Sequence, residues 1–271
     1  MRWFWQHANF QMGDFIMLTS GLKALNDLWG GPVKVFFDTK VVKQLYLNCD
    51  FMSILDQRPR KPHFATSMFS SWGHGGYRKK KLNKQESMQE CFFRLYAVNQ
   101  GYRGIMPHTY VDYPNTVILD KEEGKKYVAL FHGCLGEHFK KHKSIPMPSL
   151  QFLVNEVLRL GHVPVLLGNK NDHKKYWRNI TISTEGVINY IHQLPIRDSI
   201  SILDQCDTFI SNDTGLYHVA SAHKMKGLVL WNNTEYEKNA PSFDGIERVQ
   251  GKGKDHVFYN NAITAYLEKI K

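Results

Sequence analysis

Short continuous apolar runs alternate along the chain with stretches whose apolar residues return every three or four positions. Residues 2–7 (RWFWQH) are aromatic and extended in character, and residues 9–14 (NFQMGD) follow as a loop holding one glycine. Leu22, Leu25, Leu28 and Trp29 then fall at helical spacing, and Gly30-Gly31 stops that helix. Residues 33–37 (VKVFF) read as the next strand. Strand, loop, helix, strand is the opening of a Rossmann-type unit.

The middle of the chain breaks this rhythm. Residues 57–84 carry Pro59, Pro62, Gly73, Gly75 and Gly76, followed by Arg78, Lys79, Lys80, Lys81 and Lys84, and read as a long irregular loop. Residues 112–126 (DYPNTVILDKEEGKK) are charged and turn-rich and read as a linker. Beyond it the alternation resumes. Strands are expected at 127–131, 163–167, 187–191, 208–210 and 228–231. Leu150, Leu153, Val154, Val157 and Leu158 mark an amphipathic helix ended by Gly161, with further helices expected at 198–205 and 215–223. Apolar strands separated by helices indicate a parallel sheet covered on both faces. Two such halves predict an α/β protein of two Rossmann-like domains facing a central cleft, the expected ligand site. A last helix is expected around residues 261–270.

The composition of the 271 residues, 42% hydrophobic and 22% charged, excludes wholesale disorder and fibrous architecture. Lys and Arg total 35 against 25 Asp and Glu, a net charge of +10 that points to an anionic partner without choosing among nucleic acid, phosphorylated glycan, membrane surface and nucleotide. Cys49, Cys91, Cys134 and Cys206 lie far apart with no CxxC pair, which argues against a zinc ribbon and a disulfide scaffold. His7, Asn9, Gln11 and Asp14 interrupt any signal-like run, and no stretch approaches the ~18–20 apolar residues of a membrane span. A reducing cytoplasmic setting is expected.

Three stretches could carry chemistry. Residues 211–222 (SNDTGLYHVASA) follow a strand and open a helix. Free backbone N–H groups there, the Thr214 hydroxyl and the helix dipole form an anion site suited to a diphosphate, with Gly215 allowing close approach and His218 near the same ligand. An ordinary cap by Asp213 or Thr214 is the alternative. Gly13-Asp14 closes the first strand–loop–helix unit, where Asp14 could take a proton from an attacking hydroxyl or simply cap a helix. Residues 132–146 (HGCLGEHFKKHKSIP) form a glycine-containing turn with Lys140, Lys141 and Lys143 available to neutralise phosphates, or a solvated basic loop. The GxxxxGK[ST] loop is absent, which disfavours an ATPase. There is no GxGxxG after the first strand, and no DxD pair to hold a divalent ion.

In their order these stretches resemble glycosyltransferase family 9, the heptosyltransferase-like enzymes of GT-B fold. The likeness runs from Gly13-Asp14 and the following FIMLTSGLKAL through Leu130-Phe-His-Gly, Lys143-Ser-Ile-Pro146 and Val165-Leu-Leu-Gly168 to Phe209-Ile-Ser-Asn-Asp-Thr-Gly-Leu-Tyr-His-Val-Ala. It covers most of residues 1–50 and 127–232 and leaves 51–110 without a match. The resemblance implies inverting, metal-independent transfer of a hexose, heptose or pentose from a nucleoside-diphosphate sugar to an acceptor hydroxyl, with no cofactor beyond that co-substrate. It implies residues 1–120 as acceptor domain and 121–271 as donor domain, with the last helix returning to the N-terminal half. Asp14 matches the family's base. Gly13, Asp213, Thr214, Gly215 and His218 match donor-binding positions, and Lys143 matches the diphosphate lysine, with Lys140 and Lys141 as competitors. Arg78 and Lys80 are candidates on the acceptor side. The implied acceptor is a lipopolysaccharide-type or other anionic glycan, met in the cytoplasm or at the inner face of a membrane. The alternatives are a phage-type enzyme glycosylating hydroxymethylated DNA bases in a host cytoplasm, a non-catalytic nucleic-acid or sugar-nucleotide binder, and an epimerase of the same fold.

Overall fold

The computed structural model describes residues 3–6, 12–37, 39–57, 64–65, 87–133, 143–183, 185–232, 236–240, 243–251 and 253–270. Arg78, Lys80, Lys140 and Lys141, and nearly all of the stretch read as an irregular basic loop, lie outside these residues. The chain forms two compact units, Met1–Asp112 with Glu237–Ser242, and Tyr113–Tyr236 with Phe243–Lys271. Among the described residues no helix is long and apolar enough to cross a membrane.

The first unit contains β1 (Trp3–Gln6), α1 (Met12–Trp29), β2 (Val33–Phe37), α2 (Lys40–Lys43), β3 (Met52–Leu55), β4 (Phe64–Ala65) and α3 (Met88–Tyr96). Its strands are parallel in the order β3-β2-β1-β4. The short β4 falls inside the stretch expected to be irregular. A larger correction concerns α1, which begins at Met12, so that Gly13 and Asp14 belong to its first turn and not to a loop. The helical period is hidden there because Phe15, Ile16, Met17 and Leu18 are all fully or almost fully buried. The polar groups that follow are absorbed locally: the Thr19 and Ser20 hydroxyls donate to the carbonyls of Ile16 and Met17. Gly21 admits α3, since a Cβ there would stand 3.3 Å from the Phe92 carbonyl oxygen. Phe15 packs edge-on against Phe37 at 4.9 Å between ring centroids, and Phe37 stacks on Tyr46 at 5.8 Å. A capping box starts α3: Ser87 Oγ accepts from Glu90 N at 3.2 Å, and Glu90 Oε2 accepts from Ser87 N at 2.6 Å.

The second unit contains β5 (Tyr127–Phe131), α4 (Met147–Arg159), β6 (Val163–Leu167), α5 (Lys170–Lys175), β7 (Ile188–Asn189), α6 (Ile196–Asp204), β8 (Thr208–Asn212), α7 (Gly215–Ala222), β9 (Gly227–Trp231), β10 (Ile246–Gln250) and α9 (His256–Lys269), while all but the first residue of the short α8 (Tyr236–Asn239) belongs to the first unit. All strands are parallel, in the order β10-β9-β8-β5-β6-β7. Counted from β5, that is the 3-2-1-4-5-6 order of a doubly wound nucleotide-binding sheet, and the order reverses between β5 and β8. Leu150, Leu153, Val154 and Val157 of α4 enter one core with Val128, Leu130, Leu166, Ile210 and Leu228 of the sheet. The last helix corrects the sequence expectation. Its buried residues Tyr259, Ile263, Tyr266 and Leu267 belong to this same core, so α9 packs within the second unit. Tyr259 also donates to the Trp231 carbonyl at 2.9 Å, across Gly251, where a Cβ would lie 2.4 Å from the tyrosine ring.

Two further departures have local causes. The expected linker carries no regular structure, yet it is fastened to α6. Ser201 Oγ accepts from Thr116 N and Val117 N at 3.2 Å, Gln205 Oε1 accepts from Leu119 N at 2.8 Å, and Tyr113 stacks on His223 at 3.9 Å between centroids. These contacts place residues 113–119 in the second unit, where a boundary at 120/121 had put them in the first. The strand expected over 187–191 is only two residues long, beside the full-length β6. Val163 N donates to Lys126 O at 2.8 Å on the β5 side, so the nitrogen of the next residue faces the opposite side, where pairing with β7 starts only at Val165. That next residue is Pro164, which has no N–H to leave unpaired.

Candidate functional site

In open parallel sheets the ends of the two strands flanking the order reversal diverge and leave a crevice at their carboxyl ends. In the second unit those ends are His132-Gly133 after β5 and Asn212-Asp213 at the end of β8. Chain chemistry collects there. Lys143 Nζ lies 2.6 Å from Asp213 Oδ2, and His218 Nε2 approaches Asp213 Oδ1 to 3.7 Å. Asp213 is 3% exposed and Lys143 27%, so the carboxylate sits inside and the ammonium reaches the surface. Burial by itself pushes the Asp213 carboxyl up, but Lys143 and then His218 outweigh it and hold the group below its ordinary value. Asp213 is therefore an anion at neutral pH, and it fixes the lysine head.

The backbone around Lys143 is pinned by buried side chains. Asn212 Nδ2 donates to the Gly133 and Lys143 carbonyls, both at 3.0 Å, and Asn212 Oδ1 accepts from Gly133 N at 3.1 Å. Asn232 Nδ2 donates to the Ser144 carbonyl at 2.6 Å, and Ser144 Oγ and Tyr176 Oη share a hydrogen bond of 3.0 Å. His132 Nε2 accepts from Ile145 N at 3.1 Å. Burial pushes the His132 imidazole down to about 3, so the ring is neutral and Nε2 keeps its lone pair for that bond. Gly133 is required by its neighbour: a Cβ would meet Asp172 Oδ1 at 2.5 Å. Asp172 in turn closes the capping box of α5, accepting from Asn169 N at 3.0 Å. Burial raises its carboxyl to about 6.

Across the crevice α7 begins at Gly215, with Thr214 as an extended N-cap whose side chain makes no capping hydrogen bond. The first N–H groups of a helix have no intrahelical acceptor, so this end remains a donor surface for an anion. His218 is buried within that first turn, with Nδ1 unpartnered among the described residues.

The structure thus brings together Lys143, Asp213, Thr214, Gly215 and His218 from the sequence reading. Lys140 and Lys141 lie outside the described residues, as do Arg78 and Lys80 of the expected acceptor side. Asp14 lies in the first turn of α1 and belongs to the first unit. Asn212, Asn232 and the acceptor role of His132 were missed. Their one sequence signal is a polar residue at the end of an apolar strand, which does not disclose a partner.

A sequence model of glycosyltransferase family 9 (heptosyltransferase) matches residues 77–254. The chain belongs to glycosyltransferase family 9. The match includes Lys143 and the whole 213–218 stretch and extends into part of 51–110, where no resemblance was expected, whereas Asp14 precedes it. Solved structures agree on the fold. A family 9 glycosyl transferase from Veillonella parvula superposes with a TM-score of 0.69 at 12% identity, over 92% of this chain and 86% of that one. The Escherichia coli ADP-heptose lps heptosyltransferase II gives 0.68 at 14% identity, over 99% and 100% of the two chains. The E. coli heptosyltransferase WaaC, solved with ADP, gives 0.66 at 12% identity over all of both chains. The fold is the GT-B type of these glycosyltransferases. A comparison with curated proteins returns no match.

Proposed function

We propose that this family 9 enzyme moves a sugar from a nucleoside-diphosphate donor to a hydroxyl of an anionic glycan, with inversion and without a metal ion. The observation that supports the reading is the Lys143–Asp213–His218 group at the order reversal of the second sheet, beside the uncapped start of α7. Breaking the glycosyl–phosphate bond leaves a diphosphate whose negative charge grows as the bond lengthens. A lysine and fixed backbone N–H groups stabilise that charge most where it is greatest, which is what lowers a barrier. Asp14 is the proposed base. It takes the proton of the acceptor hydroxyl as the oxygen attacks the anomeric carbon from the side opposite the diphosphate; one C–O bond forms, one breaks, and the configuration inverts. The chain's net charge of +10 suits a phosphorylated acceptor. ADP, present in the WaaC structure, is the first ligand to test. The deciding experiment incubates the protein with ADP-heptose and other nucleotide sugars and a phosphorylated glycan acceptor, in EDTA, and reads diphosphate release and product mass. Turnover in EDTA is expected. No transfer with any nucleotide sugar, or transfer only after metal is restored, would overturn the reading.

A further inference from the structure

We infer that Asn212 is a positioning residue for the donor: it ties Lys143 to Gly133 and so sets where the Lys143 ammonium stands. The inference rests on the donor reading of Lys143.

An amide side chain has two N–H donors and a carbonyl oxygen. Asn212 is fully buried and uses all three functions on Gly133 and Lys143. Its Nδ2 donates to the Gly133 carbonyl, just after β5, and to the Lys143 carbonyl, at 3.0 Å each. Its Oδ1 takes the Gly133 N–H at 3.1 Å. Bringing together two positions ten residues apart in the chain costs closure entropy. Here one buried side chain at the end of a central strand joins the two. The next residue in sequence, Asp213, holds the lysine head at 2.6 Å. Adjacent residues on one strand end thus grip the same lysine, Asn212 by its backbone and Asp213 by its side chain. No hydrophobic residue could replace the first grip, since the buried N–H and carbonyl of Gly133 and the partly buried carbonyl of Lys143 would lose their partner. Serine or threonine has one donor and too short a reach to satisfy both carbonyls.

The test is a double-mutant cycle on ADP affinity in the full-length protein, with inorganic diphosphate as a probe independent of the base. Lys143→Ala is expected to weaken ADP roughly 10–100-fold, the range for losing a hydrogen bond to a charged group. Asn212→Ser is expected to weaken it roughly 3–30-fold, and the double variant should bind no worse than Lys143→Ala alone, within about threefold. Additive losses, or Asn212→Ser binding ADP at the parental affinity, would overturn the inference. Parental affinity in Lys143→Ala would instead overturn the donor reading, and this inference with it. Asn212→Asp carries the test if the serine variant does not fold. It keeps shape and the acceptor for Gly133 N but loses both donors while ionised. Protonation returns one donor, so the affinity ratio of variant to parent should rise as pH is lowered; a flat ratio would count against a positioning role.

Discussion

Lys143 and Asp213 meet at 2.6 Å with very different exposure, the carboxylate almost fully buried and the ammonium more than a quarter exposed. The lysine is thereby held in place before any donor arrives, and the anion that holds it is itself shielded from exchange with solvent. A positive centre fixed in advance stabilises developing charge without a reorganisation cost at the moment of reaction.

Removing the ammonium should therefore cost stability as well as affinity. Lys143→Met leaves the Asp213 charge buried with His218 as its remaining neighbour, and a loss of about 1–3 kcal/mol at pH 7 is expected, less than for a pair buried at both ends. The parental Asp213 pKa is depressed, so the pair's contribution is present above the ordinary carboxylate pKa and fades as pH falls through the depressed value. Urea unfolding of parent and variant at pH 7 and pH 3 checks this: the gap should be smaller at pH 3 than at pH 7.

His132 predicts a pH dependence of a different origin. Its pKa is pushed from 6.5 to about 3 by burial, so between those values the unfolded chain binds a proton that the folded one refuses. Stability should fall as pH is lowered through that window, with a slope of up to about 1.4 kcal/mol per pH unit from this group. Asp172, raised to about 6, acts in the opposite sense: its contribution is full below about pH 4 and is lost as pH rises through 6. His132→Gln should flatten the acid slope, while Asp172→Asn should steepen it between pH 4 and 6. Thermal unfolding across pH 3.5–7 would show an unchanged slope in both variants if the burial argument were wrong.

Gly133 is a packing requirement. A methyl group there meets the Asp172 carboxylate at 2.5 Å, so Gly133→Ala should force that carboxylate off Asn169 N and fray α5. A loss of about 1–3 kcal/mol is expected from overpacking. Gly133→Ala combined with Asp172→Ser should recover part of it, measured by chemical denaturation; no recovery would mean that the strain lies elsewhere.

Asp14 separates two roles on one variant. As a base, Asp14→Asn should lower turnover roughly 10²–10⁴-fold with donor affinity unchanged. As a structural acid in the first turn of α1, where the helix dipole favours a negative charge by about 0.3–1 kcal/mol, it would leave the variant turning over at the parental rate. Initial rates at saturating donor and acceptor decide.

What could be read from the sequence follows from where each signal is local. β2, β5 and β6 are continuous apolar runs bounded by turns, and they fold over the residues expected. β10 (IERVQ) has no such run, because an edge strand with Glu247 and Arg248 need not be apolar, and it was missed. The capping box Ser87–Glu90 was available as a local signal for α3 but stood beside the basic stretch that masked it. The start of α1 was lost because a helix buried on every side shows no period. At the site, the 213–218 stretch was legible since its chemistry lies in consecutive residues. The Asn212 clasp was not: it joins β8 to Lys143 and Gly133, 69 and 79 positions away, and only the folded sheet brings those together.

The truncated β7 and Pro164 bear on how the sheet tolerates its own short neighbour. A strand whose neighbour stops early leaves backbone groups facing a gap, and a buried N–H without an acceptor is costly. Pro164 is buried, and the nitrogen facing that gap is its own, so no donor is stranded there. Pro164→Ala would put an N–H at that buried position. The cost would surface as a stability loss of about 1–3 kcal/mol in chemical unfolding, with the donor-binding residues untouched.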